Sequence, residues 1–81
     1  MDYQKTAQAL VNTIGRDNIT GLTHCATRLR FSVKDKQIDE ALIEAIQGVN
    51  GQLYLNDQYQ VFVDLGAINE IYDAVLALLQ A

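Results

Sequence analysis

Two pairs of strand-like runs in this chain are each joined by a break too short to hold a crossover. Residues 19–24 and 28–34 read as strands, the second by strict alternation of Leu29, Phe31 and Val33 with Arg28, Arg30, Ser32 and Lys34. Residues 52–55 and 59–63 read as a second pair, around Asn56-Asp57, a dipeptide that tolerates left-handed turn geometry. Parallel neighbours need about a dozen connecting residues, so each pair is an antiparallel hairpin. The apolar set of residues 28–34 should face a core and the polar set should face water.

Helices are expected around these hairpins. Tyr3, Ala7, Leu10, Val11 and Ile14 recur at helical spacing over residues 2–14, with Asp2 as N-cap and Gly15 as the stop. Ile38, Leu42, Ala45 and Ile46, then Val49, mark a second helix over residues 38–47, with Asp39 and Glu40 in its first turn and Gly48 and Gly51 at its exit. After Gly66, Ile68, Ile71, Tyr72, Val75, Leu78 and Leu79 form the stripe of a third. The order is αββαββα. Amphipathic helices need an apolar sheet face to cover, so the fold class is α+β, a two-layer open-faced sandwich with three helices on one face of a four-stranded antiparallel sheet. The 81 residues form one domain, 1–81.

Composition removes several function classes. At 49% hydrophobic with no proline, the chain is not a disordered tail or a low-complexity linker. A net charge of -4 suits nucleic acid poorly. One cysteine and one histidine cannot close an internal disulfide or a four-ligand zinc site. No stretch reaches the ~20 apolar residues that span a bilayer, and the first residues lack a signal-peptide pattern. The expectation is a soluble, reduced, cytoplasmic domain.

Four of the six basic residues, Arg28, Arg30, Lys34 and Lys36, follow shortly after the only cysteine. A solvated strand face accounts for them equally well. Arg28 and Arg30, however, project from one strand face about 6.5–7 Å apart, a spacing at which two guanidinium forks address one tetrahedral anion. Cys25 sits at the hairpin turn in Thr23-His24-Cys25-Ala26-Thr27-Arg28. A lone cysteine is usually a small buried hydrophobe. Polar neighbours and an exposed turn favour a reactive thiolate here, with turn amides able to cradle an anion. A Cys–His dyad is disfavoured, because adjacent strand residues point to opposite faces. Glu40 and Glu44 read as a solvated helix surface, and Tyr54, Tyr59 and Phe62 as a weak sign of base stacking. Neither the cysteine-arginine spacing of tyrosine phosphatases nor a glycine-rich phosphate loop is present.

Asn18-Ile19, five residues, then Cys25-Ala26-Thr27-Arg28-Leu29-Arg30 resembles the phosphorylation-site signature of the glucose-type IIB domain, the B component of enzyme II in the bacterial sugar phosphotransferase system. Thr23-His24-Cys25 looks most like its β-glucoside, sucrose and trehalose branch. Gln60-Val61-Phe62-Val63 matches a second landmark, with Asp64 standing where glycine is common. The resemblance implies a phosphoryl relay without metal or organic cofactor. Cys25 is the phosphocysteine nucleophile, taking phosphate from a phosphohistidine of the IIA partner and passing it to a sugar held by the membrane-embedded IIC component. Arg28 and Arg30 are the implied catalytic partners, and Ala26, Thr27, Arg28 and Arg30 the phosphate-binding set. Thr23, His24, Gln60 and Phe62 are the implied partner contacts. The resemblance places the chain at the cytoplasmic face of the cell membrane, as one domain of a longer transporter. The contrasting readings are a non-enzymatic regulatory or ligand-binding α/β module and a thiol-redox protein. The second cysteine a redox protein needs is missing.

Overall fold

The computed structural model describes residues 1–81, in the order α1 (Tyr3–Ile14), β1 (Ile19–His24), β2 (Arg28–Val33), α2 (Glu40–Glu44), β3 (Val49–Leu55), β4 (Gln58–Val63) and α3 (Ile68–Gln80). Short 3-10 turns at Arg16–Asn18 and Leu65–Ala67 lead into β1 and α3. The strands make one antiparallel sheet in the order β1-β2-β4-β3, so the two hairpins join edge to edge through β2 and β4. That is the α+β sandwich expected from the chain.

Period two decides which side of the sheet is covered. Leu29 and Phe31 on β2 stand beside Val61 and Tyr59 on β4, and all four are buried. They share one core with Ala7, Leu10, Val11 and Ile14 of α1, Ile43 of α2, and Ile68, Ile71, Ala74 and Val75 of α3. All three helices therefore lie on that face. Tyr59 donates its phenol hydrogen to Gln52 at 3.0 Å. Burial, with Glu40 and Glu44 nearby, pushes the phenol up to about 12, so it stays a donor.

The chain ends of the elements follow local chemistry. Asp2 caps α1 by accepting from the Lys5 N–H at 3.0 Å. Gly15 ends α1 at φ 98°, where a side chain is strained. The turn at Asn56 and Asp57 has φ of 55° and 63°, the left-handed pair that a two-residue hairpin requires. Buried Thr6 donates to the Gln47 carbonyl at 2.9 Å, pinning α1 to the segment before β3.

Four expectations need correction. The second helix is Glu40–Glu44, not residues 38–47, because the chain leaves helical geometry after Ala45 and turns at Gly48, φ 91°. Val49 belongs to β3 rather than to a helix face, and Gly51 lies inside β3 at a register irregularity rather than at a helix exit. Tyr3 does not join the buried stripe of α1: it starts the first turn and stays 36% exposed.

Candidate phosphate site at the first hairpin turn

Cys25, Ala26 and Thr27 form the turn between β1 and β2. The Cys25 N–H donates to the Arg28 carbonyl at 3.0 Å and closes the hairpin. Cys25 is partly exposed, and Ala26 and Thr27 are exposed. The Cys25 sulfur lies 3.5 Å from the Thr27 hydroxyl. Hydrogen bonds from the Thr27 backbone and then its hydroxyl pull the thiol down from 9.0 to about 6. Partial desolvation opposes this, and the Arg28 backbone and the Arg30 charge add to it. At neutral pH the sulfur is mainly thiolate, held in a turn whose donors also suit phosphate oxygens.

The arginines stand on the open side of the sheet. Arg28 is opposite Phe62, and Arg30 lies between Thr23 and Gln60. Neither is freely solvated. Arg28 donates through Nη1 to Gln60 Oε1 at 2.8 Å, and its guanidinium carbon sits 4.7 Å from the centre of the Phe62 ring. Gln60 is only 3% exposed, and its amide nitrogen donates to the Leu55 carbonyl at 3.2 Å. That second bond fixes which end of the amide meets Arg28. The Nε atoms of Arg28 and Arg30 are buried and unpartnered. Those buried nitrogens cannot reach an anion, but only Nη1 of Arg28 is bonded within the chain, so the Nη groups of both forks keep donors to spare beside an exposed turn.

The strand fold separates the basic cluster. Lys34 and Lys36 follow the far end of β2, about 20 Å from Cys25 at ~3.3 Å per residue. Lys36 Nζ stands 5.5 Å from the Tyr54 ring centre, beside the other hairpin's turn. Only the two arginines are brought to the cysteine end. Asn18 also lies a strand length from Cys25. It accepts from the Asp35 N–H at 2.7 Å and donates to the Asp35 carbonyl at 2.8 Å and the Ile14 carbonyl at 3.2 Å. This end of the signature clamps the base of the hairpin. Asp64 accepts from the Asn50 amide at 3.1 Å, so its carboxylate is engaged on the β3 side.

His24 lies on the helix side of the sheet, opposite core residue Leu29, while Thr23 lies on the open side. The His24 ring packs on Tyr72 of α3, with centroids 4.4 Å apart and planes tilted by 56°. Sequence reading missed this partner. Tyr72 fits the apolar stripe of its helix, and no local pattern says which strand residue it meets.

A sequence profile described as phosphotransferase system, EIIB, matches residues 8–38, which hold the second half of α1 and the first hairpin. The crystal structure of one domain of the PTS system IIabc component from Clostridium difficile superposes with a TM-score of 0.90 at 40% identity, covering 94% of this chain and 81% of that one. The chain belongs to the phosphotransferase-system EIIB family. It is 42% identical over 76 residues to the PTS system sucrose-specific EIIBC component of Bacillus subtilis (strain 168), and 36% identical over 73 residues to the trehalose-specific EIIBC component of the same organism. Those alignments take in 91% and 88% of this chain but 16% of each relative, so the chain spans about a sixth of the curated proteins it matches. The sucrose/trehalose branch expected from Thr23-His24-Cys25 is the branch in which these relatives fall.

Proposed function

We propose that the chain is a phosphoryl relay in sugar uptake, with Cys25 as the acceptor. The observation that carries this is the thiol at an exposed turn, pulled down to about 6 by Thr27, with Arg28 and Arg30 starting the next strand. In the first step the Cys25 thiolate attacks phosphorus in line. The P–N bond to a IIA phosphohistidine breaks, an S–P bond forms, and the histidine nitrogen keeps the electron pair. In the second step a sugar hydroxyl oxygen attacks phosphorus, an O–P bond forms as the S–P bond breaks, Cys25 leaves as thiolate with the electron pair, and the hydroxyl proton passes to water. Charge on the transferred group spreads over its equatorial oxygens, where positioned donors matter most. The Thr27 hydroxyl, the Ala26 and Thr27 amides and both guanidinium groups supply them.

The relatives named EIIBC support a membrane IIC component within the same longer chain as sugar holder, and the relay reading puts the domain at the cytoplasmic face of the membrane. Sugars of the sucrose and trehalose kind are the substrates their names carry. Thr23 and Phe62 rim the turn on the open side that IIA and IIC must reach, and His24 borders the same turn from the helix side. Gln60 is buried and acts on the partner through the arginine it holds. The test is intact-mass measurement after incubation with phosphorylated IIA. One added phosphoryl group is expected on the wild type and none on a folded Cys25→Ser variant. Equal labelling of both removes Cys25 as the acceptor, and no labelling of the wild type favours a regulatory module.

A further inference from the structure

We propose that His24 and Tyr72 are positioning residues that hold the Cys25 turn from the helix layer, through a hydrogen bond from the His24 ring to the Cys25 carbonyl. Its bearing on function rests on the reading of Cys25 as phosphoryl acceptor. His24 Nδ1 lies 3.1 Å from the Cys25 carbonyl oxygen. A carbonyl only accepts, so Nδ1 carries the proton and donates. The ring is kept from turning away by Tyr72, 4.4 Å distant on α3. The strand end beneath it is fixed by the pairing of His24 with Leu29.

The consequence lies one peptide further on. Fixing the Cys25 carbonyl fixes the plane of the Cys25–Ala26 peptide, and with it the direction in which the chain delivers Thr27. The Thr27 amide and hydroxyl are the leading donors to the sulfur. Ala26 and Thr27 are themselves exposed and meet no packing that would hold them. Apart from the N–H groups that face the sulfur, the turn backbone makes one further bond, the hairpin-closing one from the Cys25 N–H to the Arg28 carbonyl. His24 stands on the sheet face opposite Arg30, the charged side chain that acts on the sulfur, so it works on the turn rather than on the reacting atoms.

The experiment follows alkylation of Cys25 by iodoacetamide from about pH 5 to about pH 10, which reads the thiolate fraction without any phosphoryl donor. His24→Ala should raise the midpoint above the wild-type value of about 6. Near pH 5 the rate falls about tenfold for each pH unit of that rise. Tyr72→Ala should raise it too, and the double variant should be no worse than His24→Ala alone, because both act through one contact. His24→Asn puts an amide nitrogen where Nδ1 stood and should bring the midpoint back, and Tyr72→Phe should match wild type. A folded His24→Ala chain with the wild-type midpoint overturns the proposal. So does a His24→Asn chain as impaired as His24→Ala. His24 is exposed, so this pair decides even where Tyr72→Ala does not fold. Phosphorylation by IIA is measured separately. A wild type that takes no phosphoryl group while His24→Ala still moves the midpoint sinks the relay reading and leaves the brace standing.

Discussion

Cys25 differs from an ordinary surface thiol because a single neighbour, Thr27, offers it two hydrogen bonds. Removing the hydroxyl tests this. Alkylation of the wild type should level off above pH about 6, whereas Thr27→Val should move the midpoint toward the ordinary value of 9.0. The sign for stability follows. The folded state lowers the thiol pKa, so the contribution is fully present above pH 9.0, fades as pH falls, and is gone below about 6. The arginines carry a second expectation. Arg28→Lys and Arg30→Lys keep the charge but lose the fork. Losing a charge-assisted contact of ~1.5–3 kcal/mol corresponds to roughly a tenfold to hundredfold slower transfer. That loss should fall on transfer from Cys25 to sugar more than on transfer from IIA. Rapid-quench measurement of both half-reactions, with the matching IIC supplied, checks it. Wild-type rates in both steps for both folded variants would leave the arginines as a solvated strand face.

At the scale of elements, the two hairpins are built on different turns. The first turn carries the reactive sulfur and is held by hydrogen bonds to its neighbours. The second is a tight left-handed pair at Asn56 and Asp57, with φ of 55° and 63°. Non-glycine residues bear a conformational cost there. Asp57→Gly should therefore stabilise the domain by up to about 1 kcal/mol, read as a rise in denaturant midpoint without a change in slope. Unchanged or lower stability would mean that the Asp57 side chain contributes more than its backbone geometry costs. The brevity of α2 is also an element-scale effect. Apolar residues recur there at helical spacing, but only Ile43 is fully buried, Ile38 and Ile46 pack against the core from outside the helix, Leu42 is exposed, and the chain must turn at Gly48 to start β3.

The whole molecule has one core and one open sheet face, and they answer to different tests. Phe31 is fully buried between the sheet and the helices. Phe31→Ala should cost about 3–5 kcal/mol, against a net stability of roughly 4–12 kcal/mol for a domain of this size. Thermal melting should show a much lower Tm or an unfolded chain. On the open side, docking of IIA should be a transient contact below about 1,200 Å² centred on the turn end. NMR shifts on IIA titration should gather at residues 22–30 and 58–64, and shifts confined to α3 would move the docking face.

Much of the fold and the site is legible in the order of the residues. Alternation over Arg28–Val33 sorts core from open face because a strand has period two, and that alone puts both arginines on one side. Short breaks impose hairpins, and one cysteine among polar residues marks the turn. The order β1-β2-β4-β3 is not legible there, because nothing local says which hairpin edges meet. That order puts Gln60 and Phe62 beside Arg28, converting a surface arginine into one held by an amide and a ring. The extension of β2 itself leaves Lys34 and Lys36, near in sequence, a strand length from the sulfur. The meeting of His24 with Tyr72 is likewise tertiary. Sequence determines which side chains share a face, since that follows from backbone periodicity. Only the packed fold decides which faces touch, since contacts between distant residues depend on how the elements dock.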